Sequence, residues 1–101
     1  MRTREFVGTI RYLEFEWDSA KAASNERKHG ITFEDAVTVF SDPHAIDAPD
    51  LAEPGRFVII GESRRTRILF VVFAEKAEAE VIRIISARRA APAQRKRYQD
   101  G

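Results

Sequence analysis

RFVIIGESRRTRILFVVFAEKAEAEVIRIISARR, residues 56–89, decides the architecture of this chain. Three runs rich in β-branched and aromatic residues, RFVIIGES (56–63), RILFVVFAE (67–75) and EVIRIISA (80–87), are parted only by Arg64–Thr66 and Lys76–Ala79. Connections that short predict antiparallel hairpins. The middle run is apolar on both period-2 faces, with Leu69, Val71 and Phe73 on one and Ile68, Phe70 and Val72 on the other. That pattern predicts a central strand covered on both sides.

Working outward toward the N-terminus, residues 5–17, EFVGTIRYLEFEW, predict one further strand, weakened at Gly8, with residues 1–4 as a loose tail. Asp18 or Ser19 can cap a helix that runs to about His29, where Gly30 takes the left-handed stop position. Thr32 and Asp35 have capping-box spacing, and Phe33, Ala36, Val37 and Phe40 follow at helical intervals, so a short second helix is expected. Residues 41–55 hold Pro43, Pro49, Pro54 and several aspartates and predict a loop. Beyond the three strands, Pro92 suits the first turn of a closing helix. The predicted order is β-α-α-β-β-β-α, an α+β fold with helices packed on an antiparallel sheet.

The chain has 101 residues, the size of one domain. It has no cysteine, which excludes disulfides, thiolate metal sites and a cysteine nucleophile. No apolar run reaches the length of a membrane span, and no signal-peptide core opens the sequence, so a cytoplasmic location and no membrane partner are expected. The small net charge of +1 hides an asymmetry. Residues 1–50 hold six Lys/Arg against ten Asp/Glu, whereas residues 51–101 hold eleven against six, and nine of those eleven are arginine. Arginine is the side chain suited to bidentate phosphate contacts, so a basic surface for nucleic acid is expected.

Several polar residues stand where packing predicts apolar ones. Arg83 shares its period-2 face with Val81, Ile85 and Ala87. Glu62 shares one with Val58 and Ile60, and a salt bridge to Arg67 across the hairpin would account for it. A charge in an apolar face needs a partner or a ligand. Arg27-Lys28-His29-Gly30 gathers cations and an imidazole at a helix end, where the dipole favours cations without any chemistry. His29 can nevertheless exchange protons near neutral pH. Arg88 and Arg89 close the last strand, Arg64 and Arg65 fill the first hairpin turn, and His44 lies on the proline-rich loop as a surface residue. Two histidines fifteen residues apart match no common ligand spacing, so no metal and no cofactor are expected, and no phosphate loop or nucleophile elbow is present. Trp17 and Tyr98 lie at opposite ends of the chain, so no paired aromatic platform for single strands is expected. Arginine, lysine, histidine and carboxylate suit phosphodiester transfer by an RNA 2′-hydroxyl. That reaction needs a proton acceptor, cations for the crowded phosphorane and an acid for the leaving oxygen.

Taken together, FEWDSAKAASNERKHGITFEDAVTVFSDP, the strands RFVIIGES and RILFVVFAE, and VIRIISARRA resemble the BrnT family, the toxins of BrnT/BrnA type II toxin–antitoxin modules. The resemblance runs from about Phe15 to Tyr98 and rests on the F-E-W-D opening, the N-x-x-K-H-G junction and the I-R-I-I-S-A-R-R ending. It implies a RelE-like fold and a metal-independent endoribonuclease that arrests growth. It also implies neutralisation by a BrnA-type antitoxin in a complex of two toxins and two antitoxins. The antitoxin's ribbon-helix-helix part would bind promoter DNA. Carried over by motif, the positions of interest are Lys28, His29, Glu62, Arg67, Arg83, Arg88 and Arg89; the first six are the candidate catalytic residues, and Arg89, with Arg64 and Arg65 of the basic half, would contact RNA. In that reading Arg67, Arg83 and Arg88 converge on the phosphate, and His29 or Glu62 moves the proton. A catalytically inactive RelE-like module, serving as antitoxin partner, co-repressor or RNA-binding domain, is the alternative. Against that family, residues 1–14 read as an N-terminal extension, either an added strand continuous with the first strand or the product of an upstream start codon, ahead of a single toxin-like domain at 15–101. Thr66 replaces the glycine common in the hairpin turn, Ala91-Pro92-Ala93-Gln94 replaces a Thr-x-x-Glu cap, and Glu26 stands where an apolar residue is common.

Overall fold

A computed structural model describes residues 2–7, 11–76 and 80–101 of the chain. Strands β1 (Arg2–Val7) and β2 (Arg11–Glu16) lead into helix α1 (Ser19–His29) and the short helix α2 (Phe33–Thr38), which ends in a 3-10 turn over Val39–Ser41. Strands β3 (Ile46–Pro49), β4 (Phe57–Glu62), β5 (Ile68–Lys76) and β6 (Val81–Arg89) follow, and α3 (Pro92–Asp100) closes the chain. They form one six-stranded sheet in the order β1-β2-β6-β5-β4-β3.

The predicted α+β class and both long hairpin partners are present, and β5 lies inside the sheet between β6 and β4. Three expectations need correction. The single strand over residues 5–17 is an antiparallel pair, with Val7 opposite Arg11, and it takes in residues 2–4. Met1, Gly8 and residues 77–79 lie outside the described residues. The sheet is mixed rather than antiparallel, because β2 runs parallel to β6 through Glu14↔Val81, Phe15↔Ile82 and Glu16↔Arg83. Part of the expected loop is β3, paired with β4. Proline is tolerated there because β3 lies at the sheet edge.

Local chemistry sets the helix boundaries. The Asp18 carboxylate accepts from the N–H groups of Ala20 and Lys21 (2.8 and 3.3 Å), and Gly30 ends α1 at φ 70°. Thr32 Oγ1 accepts from Asp35 N–H (3.1 Å) to start α2. The core lies between these helices and one face of the sheet, where Phe15, Ile31, Phe33, Val37, Val39, Leu69, Val71 and Ile84 are fully buried. Phe40 sits between Phe15 and Phe73, its ring centroid 5.0 Å from each. Trp17 is buried against Phe33, edge to face, and serves this core.

One extra residue in β6 changes which side chains face the core. Phe73 pairs with Ile84 but Val72 pairs with Ser86, so Ile85 is a bulge. Ala87 is thereby turned onto the core face with Ile82 and Ile84. Arg83 falls instead on the opposite face, in line with Ser86 and Arg88. The expectation that Arg83 shares the Ala87 face is thus overturned by the bulge.

Candidate functional site

The strand register gathers most of the candidate side chains at one end of the sheet. Glu62 pairs with Ile68, Phe70 with Arg88, and Leu69 with Arg89, so the ends of β4 and β6 and the start of β5 are level. The turn that carries Arg64 and Arg65 closes this end, with Thr66 N–H donating to Ser63 O and Ser63 N–H to Arg67 O (2.8 Å each). Helix α1 delivers Lys28 and His29 to the same end, because Arg67 Nη1 reaches Gly30 O (3.4 Å). Lys28, His29, Glu62, Arg64, Arg65 and Arg89 are all exposed.

How α1 comes to rest there depends on a residue the sequence reading left unassigned. Strand β2 stops beside Arg83, which leaves the edge of β6 open further on. Asn25, on α1, fills that gap: its Nδ2 donates to Ala87 O (2.8 Å) and Ile31 O (3.1 Å), and its Oδ1 accepts from Ala87 N–H (3.1 Å). The amide thus satisfies buried backbone groups that a neighbouring strand would otherwise take. The signal was present in the sequence as the asparagine of the N-x-x-K-H-G junction.

Arg67 has a different setting from the exposed cations. It lies on the helix-covered face, donating from Nη2 to Asp35 Oδ2 (2.8 Å), with 17% of its side chain exposed against 3% for Asp35. Its Nε is buried without a hydrogen-bond partner. The suggested pairing of Arg67 with Glu62 is replaced by Asp35, because alternation sends the two side chains to opposite faces. Arg67 therefore bolts the α1–α2 junction to the β4–β5 hairpin.

Glu62 is held through its backbone. Gly61 has no Cβ, and one there would lie 2.9 Å from Ala45 Cβ and from Val39 Cγ1, so the 39–45 segment packs directly on β4. Asp42 can then accept from Glu62 N–H (2.8 Å) and from Tyr98 Oη (2.6 Å) through Oδ2, and from His44 N–H (2.9 Å) through Oδ1. Burial pushes Asp42 upward, but these hydrogen bonds outweigh it and hold the carboxyl below its ordinary value. Burial and the Asp42 contact push the Tyr98 phenol up to about 12. A cavity of about 260 Å³ opens beside this corner, lined by Thr38, Ser41, Asp42, Pro43, Glu62, Ser63 and Arg64.

Arg83 stands apart from the rim. It lies on the same face as Arg88 but opposite Ala74 rather than Phe70, four ladder steps away and roughly 13 Å along the strand at a rise of about 3.3 Å per residue. Its Nη1 donates to Glu16 Oε2 (2.8 Å), which Lys76 Nζ also contacts (2.9 Å). The hydrogen bonds from Lys76 and Arg83 hold the Glu16 carboxyl down to about 2. The structure therefore does not bring Arg67, Arg83 and Arg88 together at one point. It gathers Lys28, His29, Glu62, Arg64, Arg65, Arg88 and Arg89 around one sheet end, with Arg67 fastened beneath them and Arg83 remote. Among the described residues, no three His, Asp or Glu side chains cluster as a metal site, and no helix is long and apolar enough to cross a membrane.

Comparison with known proteins agrees with this architecture. Residues 17–93 match the family described as the ribonuclease toxin, BrnT, of type II toxin–antitoxin systems. The crystal structure of the Brucella abortus ribonuclease toxin BrnT is similar, with a TM-score of 0.61 and 30% identity. That similarity covers 74% of this chain and 92% of the Brucella chain. A search of curated proteins finds no match.

Proposed function

This chain belongs to the BrnT family of ribonuclease toxins of type II toxin–antitoxin systems, and from that premise we propose that the basic sheet end is its RNA-cleaving centre. The proposal is carried by one observation: exposed cations of α1, the β4–β5 turn and the end of β6, and the Glu62 carboxylate, stand at this one end of the sheet, Lys28 and His29 toward its helix-covered face and Glu62 and Arg88 toward the other. A rim that mixes cations, an imidazole and one carboxylate contains each group that RNA transesterification requires.

RNA would lie across the strand ends in a RelE-like nuclease that uses no resident metal. Lys28 and Arg88 stabilise the charge that builds on the phosphorane, and Arg64, Arg65 and Arg89 hold flanking phosphates. The 2′-hydroxyl oxygen bonds to phosphorus as the bond from phosphorus to the 5′-oxygen breaks. His29 or Glu62 takes the 2′-hydroxyl proton, and the other supplies a proton to the departing oxygen. The products are a 2′,3′-cyclic phosphate and a 5′-hydroxyl. Arg67 acts as a positioning residue through Gly30 and Asp35. Arg83 is assigned to the Glu16 ion pair, because its partner and its place along β6 separate it from the reacting phosphate.

Cleavage of an RNA oligonucleotide in excess EDTA, with the ends analysed, tests this chemistry. Cyclic-phosphate ends at an undiminished rate are expected. Strict metal dependence would overturn the mechanism. RNA binding without cleavage at high protein concentration would favour the inactive binding module.

Membership of a type II system supplies an antitoxin partner. We assign that role to a BrnA-type ribbon-helix-helix protein in a 2:2 complex that reaches promoter DNA through the antitoxin, in the cytoplasm. Growth arrest on expression of the chain, relieved by the neighbouring antitoxin gene, is the matching test in cells.

A further inference from the structure

Arg88 is held in a way that neither Arg67 nor Arg83 shares. Among the described residues, no carboxylate contacts it. Its Cζ lies 4.3 Å from the centroid of the Phe70 ring. Its Nη1 donates to Gln94 Oε1 (3.0 Å) and to Arg89 O (3.1 Å). Its Nε and Nη2 have no hydrogen-bond partner among the described residues. The guanidinium is thus gripped by one face and one corner while its charge stays unneutralised.

The two grips come from separate elements, Phe70 from the middle of the sheet and Gln94 from α3. Gln94 Oε1 also accepts from Ala91 N–H (2.9 Å), so one oxygen closes the first turn of α3 and fixes the arginine. No residue of α3 is buried. A helix that is polar all round contributes little core of its own. Its side chains instead anchor two corners of the rim, Gln94 at Arg88 and Tyr98 at the Asp42 that holds the Glu62 backbone.

We propose that Gln94 and Phe70 are positioning residues that aim the Nε–Nη2 edge of Arg88 at the reacting RNA phosphate. This rests on the rim reading above. Holding a long side chain in its working geometry before substrate arrives removes the rotamer freedom that would otherwise be lost in the transition state. The contact to Phe70 restrains the guanidinium plane without taking up any of its N–H groups.

A double-mutant cycle on the full chain tests the assignment, with kcat and KM measured on one RNA oligonucleotide and thermal melting followed in parallel. Gln94→Ala is expected to lower kcat about tenfold in the wild-type background and to change nothing further in an Arg88→Ala background. Its cost to melting from the lost cap should persist in both backgrounds. Gln94→Glu keeps an acceptor for both donors but sets a carboxylate on the guanidinium, so it is expected to restore the melting temperature without restoring kcat. Phe70→Leu leaves α3 untouched and should likewise lose kcat only while Arg88 is present. Equal losses with and without Arg88, or no loss at all, would overturn the positioning role. Wild-type cleavage by Arg88→Ala itself would instead overturn the rim reading, and this inference with it.

Discussion

Asn25 pairs with Ala87 in the manner of an adjoining strand, giving and taking one hydrogen bond with the same residue's backbone (2.8 and 3.1 Å). The side chain stands where β2 has already ended, so α1 is joined to the sheet by hydrogen bonds as well as by packing. Asn25→Ala would strand the N–H and C=O of Ala87 in a buried setting and is expected to cost about 3 kcal/mol in chemical denaturation. Asn25→Asp should do no better, since its carboxylate would face two carbonyl oxygens. Melts that match wild type for either variant would contradict this assignment.

Arg67→Ala leaves the Asp35 carboxylate, whose side chain is 3% exposed, without its cation. Removing one member of a buried ion pair typically costs about 3–5 kcal/mol, and a loss of that size is expected in urea unfolding. Replacing both residues by apolar ones should recover much of it. Recovery of stability without recovery of cleavage would mark the pair as the device that sets the Lys28–His29 junction.

Acid should weaken the fold through Glu16. Its carboxyl is held near 2 in the folded protein, against 4.5 for the ordinary group, first by the Lys76 hydrogen bond and then by that of Arg83. The unfolded chain therefore takes up this proton first as pH falls. The stabilisation is complete above about 4.5 and is lost progressively down to about 2. Glu16→Gln should flatten the melting temperature across that window, and an unchanged slope would count against the assignment.

Thr66 is a β-branched residue at φ 63°, in the left-handed region where glycine sits without strain. Thr66→Gly is expected to raise stability by about 1 kcal/mol, because relief of the backbone outweighs the added freedom of the unfolded chain. A melting temperature that falls would show that the Thr66 Oγ1 contact to Arg65 O (2.6 Å) matters more than the strain.

The features legible in the sequence are the local ones. Asp18, Gly30 and Thr32 act within a few residues of themselves, and the hairpins of residues 57–89 follow from alternation and short turns. The parallel pairing of β2 with β6 joins residues more than sixty positions apart, and no local pattern encodes it. Pro43 and Pro49 concealed β3, because a proline is a breaker unless the strand lies at an edge. The candidate rim was legible as residue types, since Lys28, His29, Glu62, Arg64, Arg65, Arg88 and Arg89 do lie at one sheet end. Its composition was not, because one bulged residue, Ile85, determines the face of Arg83, and Asp35 rather than Glu62 takes Arg67. Gln94 was visible only as a departure from a capping motif, yet its side-chain oxygen both caps α3 and holds Arg88.

Single-turnover cleavage of one RNA oligonucleotide by wild type, Arg88→Ala and Arg83→Ala, each in excess EDTA and well below its melting temperature, separates the sheet end from the rest of the basic surface. Arg88→Ala is expected to cleave at least about a hundredfold more slowly, the usual consequence of removing a charge-stabilising donor. Arg83→Ala should stay within about threefold of wild type while melting lower. If Arg83→Ala abolishes cleavage and Arg88→Ala cleaves normally, the reacting phosphate does not lie at the Lys28–His29–Arg88 end of the sheet.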